Sequence, residues 1–205
     1  GYFGIILKLD VEMVENLLLK PAFQTMPSAE FAPRFIAAAN DPAVRMLYGR
    51  LSVARKGFFD EALLVSYRAA PGDQGKLPPA AGGGFASSLS RRVYRAQVGS
   101  EAAKRARWFA ETVAGPKTSS GTATRNSLMN EPVANLASTD RARTDILHEY
   151  FVPADQFVAF TKACQELIPR SGQELLNITL RYVAEDTTSV MSFAPAPRDA
   201  RRQCR

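Results

Sequence analysis

"VRMLYGRLSV" (44–53) and "EALLVSYRA" (61–69) decide how this chain is built. Both are short, largely apolar runs. The seven residues between them, "ARKGFFD", include Gly57 as a turn residue, so the pair reads as a β-hairpin. Just upstream, "PSAEFAPRFIAAAN" (27–40) has helical spacing. Phe31, Phe35 and Ala39 share a face, Ser28 is placed to cap, and Asn40-Asp41-Pro42 stops the run. Pro33, close to the start, pushes the first full turn later. Earlier still, "NLLLKPAFQTM" (16–26) is a strand interrupted by Pro21, the mark of an edge or a bulge. The order β-α-β-β predicts an α+β fold: an antiparallel sheet with helices packed mainly on one face.

The pattern extends in both directions. "FGIILKLDVEM" (3–13) alternates from Ile6, with Leu7, Leu9, Val11 and Met13 on one side, and reads as a half-buried strand. Downstream, "PGDQGKLPPAAGGGFASS" (71–88) is a Pro/Gly/Ser-rich linker without periodicity. Its Gly82-Gly83-Gly84 lacks the Lys-Ser/Thr of a phosphate loop and is read as a hinge. Two helices follow, 88–99 and 100–116. In the second, Ser100 caps, Ala102, Ala106, Phe109, Ala110 and Val113 form a stripe, and Gly115-Pro116 ends the run. Lys104-Arg105-Ala106-Arg107 is read as its solvated face.

After a polar stretch (118–132) comes a strand-helix-strand: "RTDILHEYFV" (143–152), "PADQFVAFTKACQELI" (153–168) and "ELLNITLRYVAED" (174–186). The helix has proline at its first position and Phe157, Phe160, Thr161, Cys164, Leu167 and Ile168 on one face, with Cys164 a core thiol. The two halves together predict one sheet with two related β-α-β units.

Hydrophobic residues make up 46% and charged residues 22%, the proportions of an ordinary globular domain with a real core. No apolar run approaches the ~20 residues that span a bilayer. The start lacks a basic leader, a cleavage site and an initiator methionine, and is read as a fragment of a longer chain. The net charge of +6 permits an acidic partner. The basic residues are scattered, however, without an aromatic stacking platform, so no nucleic acid is expected. Cys164 and Cys204 are isolated and His148 is the lone histidine, which argues against a zinc site. Two such cysteines fit a reducing, cytoplasmic compartment.

Side chains alternate along a strand. In "LLNITLRYV" (175–183) one face carries Leu175, Asn177, Thr179, Arg181 and Val183, and the other Leu176, Ile178, Leu180 and Tyr182. The apolar face must meet the helices; the polar one must meet water, a ligand or another domain. In the preceding strand Glu149 is placed to pair with Arg181, either as a surface salt bridge or as part of a site. His148 is a satisfied core histidine on one face and a candidate base on the other.

"HEYFVP" (148–153), the amphipathic helix after it and "LLNITLRYV" resemble the substrate (cap) domain of FAD-linked oxidases of the vanillyl-alcohol oxidase/p-cresol methylhydroxylase type, sugar-lactone and alditol oxidase-like members in particular. "GYFGIILKLDVEM" (1–13) is similar to the family's passage from flavin domain to cap, and "TRNSLMNEPV" (124–133) is a weaker match. The resemblance implies that residues 1–14 are the remnant of the last flavin-domain strand. Residues 15–193 would be the cap, with two ferredoxin-like β-α-β units and a mobile linker near 71–88, and 194–205 a disordered basic tail. It implies FAD held by a separate domain of the same polypeptide, with Gly4, Ile5 and Ile6 close to it. Glu149 would position or deprotonate a hydroxyl and Arg181 would stabilise charge, as catalytic groups. Asn177, Thr179, His148 and Asn130 would meet a small hydroxylated, sugar- or alcohol-like substrate. The glycine-rich pyrophosphate loop and the attachment histidine of the family are missing, so this chain alone is expected to be inactive and not to retain FAD. Self-association through the exposed domain interface is then expected. The alternative is a stand-alone α+β module binding an acidic ligand or RNA.

Overall fold

The second arm of the hairpin is the centre of the sheet. In a computed structural model, which describes residues 4, 5, 7–71, 75, 77, 93–118, 121–130 and 145–187, β3 (Glu61–Ala69) lies between β1 (Leu18–Pro27) and β2 (Val44–Leu51) and is antiparallel to both. Helix α1 (Phe31–Ala39) carries the chain from β1 to β2 and packs on β2 and β3. Two short strands, β4 (Ala123–Thr124) and β5 (Thr179–Leu180), complete an antiparallel five-stranded sheet of order β4-β1-β3-β2-β5. The fold is α+β.

From Ala62 to Tyr67, β3 is buried without alternation, as a strand must be when both faces are covered. Ala62 and Leu64 point into a cluster with Met26, Phe31, Phe35, Leu51, Phe58, Phe59 and Phe157. Leu63, Val65 and Tyr67 point the other way, toward Leu19, with Trp108 and Leu128 packed against them. Helices therefore cover both faces, which corrects the expectation of one helical face. Each large side chain so buried contributes about 1.5–3 kcal/mol. On the first face Gly49 of β2 lets the Phe31 ring lie against the backbone: a Cβ there would stand 2.2 Å from Phe31 Cζ.

Trp108 reaches the second face from a long helical segment. Helix α2 (Glu101–Phe109) runs through a wide π turn (Ala110–Ala114) into α3 (Gly115–Thr118). Ser100 caps it, its hydroxyl accepting from the Ala103 N–H. Gly115-Pro116 does not end the helix, because the wide turn realigns the chain and Gly115 keeps a helical φ of −55°. The expected apolar stripe also faces outward: Ala102, Ala106, Phe109 and Ala110 are exposed. Alanines offer little area, and the orientation is set instead by the Trp108 ring and the buried Lys104.

The hydrogen-bond parity of β1 explains Pro21. Ala70 N–H donates to Leu18 O and Ser28 N–H to Asp60 O, so even-numbered β1 residues bond to β3 and odd-numbered ones point their N–H groups to the other side. Pro21 thus lacks only a donor that would face the outer edge, where β4 pairs with Leu18 and Leu19 alone. Ser28 is not the expected side-chain cap. It begins a 3-10 turn (Ser28–Glu30) and makes no such bond. Pro33 falls in the first turn of α1, where a missing N–H costs little.

The hairpin loop is tightly folded. Gly57 (φ 79°) and Phe59 (φ 60°) are left-handed, and a bulky residue adopts that conformation only under compulsion. Phe59 is fully buried and stacked on Phe58, and Gln165 donates to the Phe58 carbonyl.

The C-terminal half is less regular than expected. A 3-10 turn (Ala154–Gln156) leads into α5 (Phe157–Arg170). Phe157 and Thr161 are buried and Cys164 and Ile168 lie against the core, whereas Leu167 is exposed. Residues 145–152 form no strand and are largely exposed, and of 174–186 only the two residues of β5 join the sheet. Residues 7–17 form no strand either, with Leu7, Leu9, Val11 and Met13 exposed. Alternation marks a strand only where an edge receives it, and these segments meet none among the described residues. The 82–84 hinge, residues 88–92, 188–193 and the 194–205 tail lie outside the described residues. No helix among those described is long and apolar enough to cross a membrane.

Candidate functional site

The second face of the sheet carries a polar network where β2, the segment 173–180 and helix α2 meet. Arg50 pairs with Leu63 and Thr179 in the sheet, so its side chain rises on the face opposite Phe31. Its Nη1 donates to Asn177 Oδ1 (2.7 Å) and to Thr179 Oγ1 (2.8 Å). The guanidinium also lies over the Tyr48 ring, 5.3 Å from its centroid. Beneath it, burial and then the neighbouring Tyr48 push the Tyr67 phenol above its ordinary range, so Tyr67 stays protonated.

Arg107 approaches the same amide from α2. Its Nη2 lies 3.4 Å from Asn177 Oδ1, its Nη1 donates to the carbonyl of Leu176 and to Gln97 Oε1, and its Nε donates to Glu111. Gln97, 1% exposed, is fixed through its Nε2 to the Tyr94 carbonyl. Two guanidinium groups thus share one neutral acceptor.

Lys104 stands deeper. Its side chain is 1% exposed, and the ammonium bridges Glu101 (2.8 Å) and Glu174 (2.9 Å). Glu101 also accepts from the Arg55 backbone N–H, while the Arg55 side chain donates to the Gln173 carbonyl. For Glu101, burial pushes the carboxyl up, but hydrogen bonds from Lys104 and the Arg55 N–H, with the nearby charges, leave it below the usual range. Glu174 behaves alike: burial opposes, and Lys104 and the Gly99 N–H prevail. Both are ionised near neutral pH and serve as charge partners, not as acids. Between Lys104, Arg107, Trp108 and Asn177 the free space is about 10 Å³, the scale of one water molecule.

The expected site residues divide. Asn177 and Thr179 lie on the polar side, opposite Ile178 and Leu180, as the alternation predicts. Their cation is Arg50, not Arg181, which follows β5 and is exposed. Glu149 is exposed on the irregular segment and makes no ion pair with Arg181. His148 is exposed too, with Nδ1 at 3.5 Å from the Tyr150 hydroxyl. Asn130 ends α4 (Arg125–Met129), which follows β4, so it belongs to the opposite edge of the sheet from β5. Gly4 and Ile5 are exposed, a Cβ at Gly4 would meet nothing within 4 Å, and Ile6 is outside the described residues. Burial pushes the Cys164 thiol up. Among the described residues no three His, Cys, Asp or Glu side chains converge as a metal site.

Sequence reasoning missed Arg50, Arg107, Lys104, Gln97, Glu101 and Glu174. Arg50 had a signal, a cation inside the apolar strand "LYGRL". Lys104 had none, because a buried lysine and a solvated one look the same in a helical run. A second open feature is an apolar groove of about 360 Å³ between Tyr150–Pro153 and Gln156, Ala159 and Phe160 of the following helical region. Comparison with protein-family models, curated proteins and solved structures found no match.

Proposed function

We propose that this chain is a substrate-orienting module of an FAD-linked oxidoreductase acting on CH–OH groups, a cap that covers a flavin held by a separate domain. The observation that carries this reading is the exposure of apolar side chains at the start of the chain, which the resemblance assigns to the flavin domain, and on the segment before α5, which it assigns to the cap. Ile5, Leu7, Ile146, Leu147 and Tyr150 are each more than 65% exposed. Apolar surface of this extent on a domain calls for a partner surface. The polar face formed by Asn177, Thr179 and Arg50 supports the same reading, since hydroxyl and guanidinium groups are suited to hold the oxygens of a hydroxylated substrate.

The redox chemistry in this reading belongs to the flavin. The residues of this chain bind and orient. Arg50 and Thr179 hold a substrate oxygen, and the apolar segments exclude water at the seam. The test is to express the chain together with its upstream coding sequence and to record the absorption spectrum. A yellow, flavin-containing protein is expected, with the 205-residue chain alone colourless. A colourless longer protein that folds and stays colourless on adding FAD refutes the proposal.

A further inference from the structure

Among the described residues Arg50 itself has no carboxylate partner. Four cations, Arg50, Arg55, Lys104 and Arg107, bond to one another's partners or to the 173–179 segment, against three carboxylates, Glu101, Glu111 and Glu174. The carboxylates serve Lys104 and Arg107. Arg50 is left with neutral oxygens only, those of Asn177 and Thr179.

Hydrogen-bond donors remain unused there. Arg50 uses Nη1 for both contacts, leaving Nε and Nη2. The Thr179 hydroxyl accepts from Arg50, so its own proton is available, and Thr179 is exposed. With Asn177 Oδ1 turned to the two guanidinium groups, its Nδ2 donors point away from them. The guanidinium is also fixed in place, stacked over Tyr48 and clamped by two side chains of the neighbouring strand region. A preorganised fork of donors without a carboxylate partner is a receptor for an oxyanion.

We infer that Arg50, Thr179 and Asn177 form a binding site for a carboxylate or phosphate group of a small ligand, the anion taking two donors of Arg50 and the Thr179 hydroxyl. Binding of an anion here requires no flavin.

The experiment is an NMR titration of the intact chain with inorganic phosphate at constant ionic strength, following the Arg50 Nε–H and the Thr179 amide. Malonate in a parallel titration separates carboxylate from phosphate preference. Saturable shifts at these two positions with a Kd of about millimolar are expected from at least one of the two anions. They should be lost in Arg50→Gln and weakened at least about tenfold in Asn177→Asp, whose carboxylate takes the guanidinium for itself. Asn177→Asp should also melt no lower than the parent, which covers the case in which Arg50→Gln does not fold. Shifts that fail to saturate, that persist in both variants, or an Asn177→Asp protein of lower melting temperature would each overturn the inference.

Discussion

Replacing Gly49 by alanine should unfold this protein more easily, for a reason that is steric and local. The added Cβ would lie 2.2 Å from Phe31 Cζ, 2.6 Å from Cε2 and 3.1 Å from Leu180 Cβ. Favourable carbon–carbon contact is about 3.5–4.0 Å, so the ring must retreat by more than an ångström. It has little room. Phe31 is 2% exposed, stacked on Phe35 at 4.8 Å and tilted against Phe157 at 5.7 Å. Overpacking of this kind costs about 1–3 kcal/mol, and the depth of the overlap places this case at the upper end. Alanine recovers about 0.5–1 kcal/mol through the lower freedom of its unfolded chain. A net loss of about 2 kcal/mol corresponds to a Tm lower by about 4–8 °C at this chain length. Calorimetry of Gly49→Ala, of Phe31→Leu and of Gly49→Ala/Phe31→Leu measures it. The second change should be less costly in the alanine background than alone, by about 1 kcal/mol. A Gly49→Ala protein as stable as the parent, or strictly additive effects, would refute the packing described for this face.

The remaining predictions concern the polar network and the helix it rests on. Lys104→Met keeps the stem's packing but strands two carboxylates, and should cost about 2 kcal/mol in urea unfolding, below the ~3–5 kcal/mol of a fully buried pair because both partners are partly solvated. Glu101 and Glu174 have lowered pKa values, so their contribution is complete above the ordinary glutamate value of 4.5 and is lost as pH falls through their folded values. Stability measured against pH should therefore drop on the acid side, and less steeply in Glu174→Gln; an unchanged acid limb would count against the bridge. Ser100→Ala removes the cap on Ala103 and should cost about 1 kcal/mol by thermal melting, with Ser100→Gly costing less.

Most of the central sheet was legible in the sequence because its signals are local. The hairpin, α1 and the edge position of Pro21 follow from period, breakers and the chemistry of one missing N–H. What failed depends on partners. Residues 7–17 and 145–152 have strand periodicity, yet no described edge accepts them, and a ladder needs two sides. The helix at 101–109 turned its alanines outward because one tryptophan and one lysine, not a count of apolar positions, fixed its rotation. In the candidate site, alternation correctly put Asn177 and Thr179 on the polar side. Their cation came from β2, 127 residues from Asn177 in sequence, which no spacing rule could connect.

The proline in β1 has a consequence for how the sheet meets other molecules. A ladder grows by adding N–H···O rungs, and on this flank one rung is chemically erased in the middle of the strand. Neighbouring chains in a crowded solution therefore find no uninterrupted template there. Among the described residues the opposite flank, along Val44–Tyr48 of β2 beyond the two-residue patch occupied by β5, carries no proline, but a bulge between Val44 and Met46 shifts the register there. The sheet is therefore blunted on both flanks, by a proline on one and by a bulge on the other.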